Sequence, residues 1–356
     1  MIDIIIPAYN AHDTIEQALH SIATQVNKNN LQVIIVNDGG EDYHNIVEKF
    51  SQWLNIKEVT CPHNCGPGYA RNFGIENSNS KYIMFMDADD TLAYSYSLSL
   101  LSDAIEKNNA NIIISKIAQI NKDKDRNEFV ITELEPNMTW LFGHLYKREF
   151  LDKYNIRFLA SCYNEDTGFN NLCLLFSFYE NLEKGIICYD GCPATYEWRY
   201  RADSLSEKDC ESLQHLQLRV LGYLYNSIKT FERVSEYPIP IEQCIDFIII
   251  ALFTIYQHGY LLYSSDLQTK LTKDLEDLSR YFYHKCCHLI LKRIPMENIL
   301  FELQAFINRE FTSEELEKTK MNFEDFIDFM LSKPSITEID ENNIQLKLLP
   351  SKNKVV

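Results

Sequence analysis

The first 120 residues alternate short β-branched runs with stretches of helical periodicity, and this alternation limits the fold more than any other feature of the chain. Strand, helix, strand in succession calls for a mainly parallel sheet with helices on its faces. Strands are expected at residues 3–7, 32–38, 56–61, 82–87 and 111–115, and helices at 13–25, 42–53, 68–77 and 94–108. Asp13 and Asp42 stand at two helix starts as acidic cap candidates. Beyond residue 206 the pattern changes to long amphipathic stretches at 211–227, 241–262, 267–291 and 314–331, the mark of an all-helical second domain. The expected organisation is an α/β domain over 1–206, a helical domain over 207–332 and a polar tail over 333–356 with a strand-like run at 344–348.

A chain of 356 residues accommodates two such domains, and 46% hydrophobic with 24% charged residues is ordinary globular composition. The formal charge of -17 repels phosphate backbones and argues against a broad nucleic-acid or anionic-membrane surface. An anionic substrate therefore needs a local cation, either a carboxylate-held metal or a few inward-pointing arginines. The longest apolar run, residues 244–256, is interrupted by Asp246 and too short to cross a bilayer, so no transmembrane segment is expected. Ten irregularly spaced cysteines and a start without a signal-like segment point to a cytoplasmic protein with reduced thiols. Cys61-Pro62-His63-Asn64-Cys65 and His284-Lys285-Cys286-Cys287-His288 lack the paired spacing of zinc modules and read as incidental or buried thiols.

Three strands end in polar clusters: Pro7-Ala8-Tyr9-Asn10, Asn37-Asp38-Gly39-Gly40 and Asp87-Ala88-Asp89-Asp90. Ligands of open α/β sheets bind beyond the carboxyl ends of the strands, so the three clusters are expected to share one crevice. Asp87 and Asp89 are two apart after an extended run and face the same way, so both reach one hard cation such as Mn²⁺ or Mg²⁺. The bland alternative is a solvated acidic turn. A rival chemistry is that of haloacid-dehalogenase-type phosphatases, with Asp87 as nucleophile and Asp89 as general acid, but it leaves the clusters on the earlier strands unexplained.

Ile4-Ile5-Ile6-Pro7-Ala8-Tyr9-Asn10, Ile34-Ile35-Val36-Asn37-Asp38-Gly39-Gly40, Gly66-Pro67-Gly68-Tyr69-Ala70-Arg71-Asn72-Phe73-Gly74 and Tyr82-Ile83-Met84-Phe85-Met86-Asp87-Ala88-Asp89-Asp90 occur in order along the chain. Together they resemble the family 2 inverting glycosyltransferases of GT-A fold, over about residues 1–205. The resemblance implies that Pro7, Ala8, Tyr9 and Asn10 form a loop over base and ribose, that Asp38 hydrogen-bonds the base, and that Arg71 lies near the base or its phosphates. It implies that Asp87 with Ala88 contacts ribose or cation and that Asp89 is the main metal ligand. Asn37 stands where an acidic residue is often found, which loosens the expectation of base identity.

Tyr163-Asn164-Glu165-Asp166-Thr167-Gly168-Phe169 resembles the family's Glu-Asp segment, which makes Asp166 the expected catalytic base and Glu165 an acceptor-orienting group. An inverting transfer needs such a carboxylate on the face opposite the leaving nucleotide. The alternative is an ordinary helix start rich in acids. Tyr196 to Leu205 resembles the family's strand and loop near the diphosphate, with Arg199, Arg201 and Ser204 as phosphate donors and Trp198 stacked on a sugar; the alternative makes Trp198 and Tyr200 core residues. The expected partners are a nucleotide-sugar donor, UDP-linked, and a hydroxyl acceptor on a surface polysaccharide or other glycan. A modified DNA base is the second acceptor expectation. The C-terminal helices are expected to shape the acceptor site or to make a homo-oligomer.

Overall fold

The structure is a computed structural model that describes residues 1–122, 129–138, 140–160, 162–180, 185–189, 193–199, 213–239, 272–287, 332, 334 and 336–350. These form two compact units, one within Met1–Lys208 together with Leu349 and Pro350, and one within Asp209–Leu348.

In the first unit, β1 (Ile2–Ala8), β2 (Leu31–Asn37), β3 (Ile56–Thr60), β4 (Tyr82–Phe85), β6 (Ile112–Ser115), β9 (His144–Lys147) and β10 (Ile186–Tyr189) form a seven-stranded sheet in the order β10-β6-β9-β4-β1-β2-β3. β9 alone runs antiparallel to its neighbours β4 and β6. Near-continuous burial of β1 and β2 shows a strand pair covered on both faces, which is why these segments read as unbroken apolar runs. The exception within β1 is Asp3, fully buried, whose carboxylate accepts from the Asn79 and Ser80 amides at 2.8 Å and the Ser80 hydroxyl at 2.6 Å.

Helices α1 (His12–Ala23), α2 (His44–Phe50), α3 (Pro67–Glu76) and α4 (Ser97–Asn108) lie where the periodicity placed them. α1 buries Ile15, Ala18, Leu19 and Ile22, the helical stripe that recurs every three or four residues. The two expected acidic caps are displaced. Asp13 lies inside the first turn of α1. Asp42 accepts from the His44 amide at 3.1 Å but precedes the N-cap, which is Tyr43.

A second sheet, β5 (Thr91–Leu92), β11 (Tyr196–Arg199), β7 (Ile117–Lys122) and β8 (Phe129–Leu134), has the order β5-β11-β7-β8. The chain then adds α5 (Arg148–Lys153) and α6 (Glu165–Glu180). Because β1, β2 and β4 are adjacent and parallel, the three polar clusters that follow them stand at one edge of the sheet. Strand β9 runs the other way, so the residues preceding it stand at that same edge.

The described part of the second unit is helical: α7 (Leu213–Ser235), α8 (Thr272–Phe282) continuing into a π turn over Tyr283–Cys287, and α9 (Glu341–Leu348). The helical stretches expected at 241–262 and 314–331 lie outside the described residues. The strand-like run at 344–348 is instead the end of a helix. Ile344 and Leu348 are both buried and four apart, a spacing that suits strand alternation and a helix face alike, and Asp340, accepting from the Asn343 amide at 3.0 Å, settles it as a helix start. No helix among the described residues is long and apolar enough to cross a membrane.

Candidate active site

The carboxylate turn after β4 carries Asp87, Asp89 and Asp90, whose side-chain oxygens lie within 4.8 Å of one another. Like charges this close repel by roughly 3–4 kcal/mol per pair at an effective dielectric near 20, so the turn needs counter-charge. Arg71 supplies part of it, with Nη2 donating to Asp87 Oδ1 at 2.9 Å. Asp90, the most deeply buried, has its carboxyl raised well above the usual range by burial and by Asp87 and Asp89 beside it. Both of its oxygens are engaged: Oδ2 accepts from the Tyr196 hydroxyl at 2.7 Å and Oδ1 from the Arg199 amide at 2.9 Å. The same Tyr196 oxygen accepts from the Asp87 amide at 3.2 Å. β11 is thus latched onto the turn, a role for Asp90 and Tyr196 that the sequence reading missed; a third acid beside the Asp-x-Asp pair was the available signal.

Asp38, 4% exposed, is held by the loop that starts α3. Its Oδ1 accepts from the Cys65 amide and its Oδ2 from the Gly66 amide, both at 2.8 Å. Burial raises its carboxyl, and these two bonds pull against that. Gly66 has φ of 91°, a left-handed conformation that suits glycine, and Pro67 follows at the first helical position. The Asp38 amide donates to Ala8 at 2.9 Å, tying the first cluster to the second. Ala8 is buried, Pro7 half-buried, and Tyr9 and Asn10 exposed, with Asn10 in the left-handed region at φ of 51°. Asn37 accepts from the Gly40 amide at 3.0 Å and donates to Glu58 at 2.9 Å, so its side chain shapes the turn. Ala88 packs into the core.

Arg71 reaches further than expected. Its Nη1 donates to Glu165 Oε1 at 2.8 Å, so one guanidinium, 5% exposed, joins Asp87 to the start of α6. Its Nη atoms face these carboxylates, and Glu165, expected to orient the acceptor, is engaged by the same guanidinium. Burial pulls the guanidinium toward losing its proton and the two carboxylates more than offset this, so it stays charged. Asn72 clamps the same segment by exchanging two 2.9 Å bonds with the backbone of Phe158. Tyr163 and Asn164, both with φ of 59°, turn the chain sharply into α6. A bulky residue in the left-handed region is strained, a feature that clusters at functional sites. Asp166 follows, its Oδ1 accepting from the Thr167 amide at 2.8 Å. Burial, then the charge of Glu165, push its carboxyl up to about 7, against the opposing pull of Arg71.

The close approach of α3 to this segment depends on Gly68, where an added Cβ would lie 2.1 Å from the Ala160 carbonyl oxygen and 3.1 Å from Glu165 Cβ. Gly68→Ala is expected to push the two segments apart, to cost about 1–3 kcal/mol in stability, and to lower turnover by about tenfold through the displaced carboxylates. Thermal melts with steady-state rates check this, and a variant matching the wild type in both would refute the packing role.

Trp198 packs against Phe142 and Trp140 with ring centroids 5.6 and 5.7 Å apart, and it borders the core as the alternative reading had it while remaining half-buried. The Arg199 side chain donates to Gln17 at 2.8 Å and pairs with Glu197 at 3.2 Å. Arg201 and Ser204 lie outside the described residues. Cys61 and Cys65 are buried free thiols, with Cys61 pushed up to about 12 by burial and by Asp38 and Cys65 beside it, so neither favours the thiolate form a metal would need. Among the described residues the three aspartates are the one group of three or more candidate ligands close enough to hold a metal ion.

Residues 3–164 match the family described as Glycosyl transferase family 2. This stretch of the first unit, a little under half of the chain, is similar to the family 2 glycosyl transferases. The match spans the strands that the phosphatase alternative left unexplained. Among relatives, the chain is 30% identical over 189 residues to the uncharacterized glycosyltransferase YibD of Escherichia coli K12, covering 46% of this chain and 54% of that protein. It is 27% identical over 229 residues to the uncharacterized glycosyltransferase EpsJ of Bacillus subtilis 168, covering 58% and 63%. The chain thus spans little more than half the length of these relatives. Among solved structures, S. aureus TarS 1-349 in complex with UDP-GlcNAc superposes with a TM-score of 0.64 at 15% identity, covering 95% of this chain and 93% of that one, a likeness of fold.

Proposed function

We propose that this protein transfers a sugar from a nucleotide-diphosphate donor, UDP-linked, to an acceptor hydroxyl with inversion at the anomeric carbon. The observation that carries the reading is the Arg71 bridge, which sets a cation-ready carboxylate turn and the Glu165-Asp166 pair on two sides of one guanidinium. The TarS fragment of like fold was crystallised with UDP-GlcNAc, which favours a uridine donor here.

The carboxylate turn suits a hard divalent cation, Mn²⁺ or Mg²⁺, because its ligand atoms are all oxygens. Asp89 and Asp87 would hold it, since Asp90 is the most deeply buried of the three and is turned to Tyr196 and Arg199. When bound, the ion neutralises charge on the departing diphosphate. Asp38 reads the base, with the Pro7 to Asn10 loop closing over it. Asp166 takes the proton of the acceptor hydroxyl as its oxygen forms the new bond to the anomeric carbon, and the bond to the diphosphate oxygen breaks with its electron pair leaving on the nucleotide.

Release of free nucleotide from a panel of UDP-, GDP- and CDP-sugars with Mn²⁺ tests the donor assignment without requiring an acceptor. Release from one donor, lost with chelator, is the expected result. No release and no nucleotide binding across the panel would overturn it. A glycan hydroxyl is the proposed acceptor, with a modified DNA base as the alternative that the acceptor assays below separate.

A further inference from the structure

The rings of Tyr196, Phe142, Trp198 and Trp140 form a continuous series in the first unit. Phe142 stacks on Tyr196 at 5.5 Å and 14° and on Trp198 at 5.6 Å and 27°, and Trp140 leans on Trp198 at 5.7 Å and 39°. One end of the series is the donor turn, where the Tyr196 hydroxyl meets Asp90 and the Asp87 amide. The other end is the helix of the proposed base: the Trp140 carbonyl accepts from Asn170 at 3.0 Å, and Asn170 lies one helical turn after Asp166 on the same face. The antiparallel course of β9 puts residues 140–142 at the sheet edge where β4 gives way to the aspartates.

The two ends differ in exposure. Tyr196 is fully buried, as are Phe85 of β4 and Phe169 of α6, whereas Phe142, Trp198 and Trp140 are only half-buried. Half-exposed aromatic rings in a series that links the carboxylate turn to the helix of the proposed base have a ligand chemistry to match: the C–H face of a pyranose stacks on an indole while its hydroxyls reach polar neighbours.

We propose that Trp140, Phe142 and Trp198 form the acceptor subsite and that the accepting hydroxyl is carried by a pyranose ring. This assigns Trp198 to the acceptor side, where the sequence reading gave it to the donor, and it rests on the transferase reading. A nucleobase would also stack on such rings, but a net charge of -17 disfavours a polyanionic acceptor.

The chain has three tryptophans, and Trp53, 43% exposed after α2, is remote from this series in the packing, against Phe50 and His20. In a Trp53→Phe background, fluorescence therefore reports Trp140 and Trp198 alone. Titration with methyl β-glucopyranoside and methyl N-acetyl-β-glucosaminide is expected to give a saturable change with at least one of them and none with ribitol. Trp140→Ala is expected to raise the acceptor KM at least about tenfold, roughly the 1.4 kcal/mol of one lost stacking contact, while the donor KM moves less than about twofold. Trp140→Phe, which keeps a flat ring, should fold normally and recover most of the affinity even where the alanine variant does not fold.

Nucleotide release from the donor without any pyranoside response would overturn the subsite and leave the transferase reading standing. Loss of nucleotide release from the unsubstituted protein would remove both. A response to thymidine in place of the pyranosides, or a donor KM that rises with Trp140→Ala, would overturn the assignment in favour of a base acceptor or a donor-sugar platform.

Discussion

Asp166→Asn is expected to lower sugar transfer by about 10²–10⁴-fold, the usual worth of a positioned general base, while nucleotide binding is retained. Asparagine fills the same space and keeps an oxygen for the Thr167 amide, so the loss isolates proton abstraction from packing. The pH dependence provides a second signature. A base works when deprotonated, and Asp166 is pushed up to about 7, first by burial and then by Glu165, so activity should rise with pH with a midpoint near 7. Stability should move the other way. A carboxyl whose folded value is raised stabilises the fold fully below its ordinary value of 3.8 and loses that contribution as pH climbs through about 7. The melting temperature of the asparagine variant should therefore gain on the wild type between about pH 4 and 7 and hold a constant lead above. A flat rate profile with unchanged turnover would assign proton abstraction elsewhere.

Asp89→Asn should abolish cation-dependent nucleotide release, by about 10²-fold or more given the several kcal/mol a bound cation contributes to a departing diphosphate. It removes a carboxylate from a crowded acidic turn, so it should leave the melting temperature equal or higher in the absence of metal. That pairing of lost activity with undiminished stability separates a ligand from a structural acid. Asp90→Asn is the informative contrast, because Asp90 accepts from Tyr196 and Arg199 and holds β11 in place. Metal titration followed by Mn²⁺ paramagnetic relaxation should show weaker binding for Asp89→Asn. Equal affinity in that variant would move the metal site off Asp89.

Legibility in the sequence followed the range of the interactions. Strands β1, β2, β3, β4 and β6 were readable because runs such as Ile4 to Ile6, Val33 to Val36 and Ile112 to Ile114 announce a strand through local composition alone. The shared edge of the three polar clusters followed from the parallel order. What could not be read were partnerships between distant segments. Tyr196 is 106 positions from the Asp90 carboxylate it donates to, and Asn72 is 86 from Phe158. Neither pairing leaves a periodic trace. The second sheet was hidden for a related reason: β5 is two residues long and β8 has exposed positions on both faces, Phe129, Val130 and Ile131 among them, so no alternation marks it. The run at 344–348 misled because Ile344 and Leu348 satisfy two periods at once.

The shared guanidinium of Arg71 also limits how such a protein can be redesigned. In the proposed function Asp87 belongs to the half that receives the donor and Glu165 to the half that receives the acceptor, yet each carboxylate takes its place from the same cation, 16 positions from Asp87 and 94 from Glu165. The two halves are not interchangeable cassettes. Replacing the Glu165 segment alone changes what Arg71 meets on that side, and the mismatch is felt at the Asp87 turn. A chimaera that keeps one parent's Gly66 to Gly74 helix together with that parent's Asp87 turn and Glu165 segment moves the charge balance as a block, and such three-piece exchanges should retain turnover where two-piece exchanges lose it.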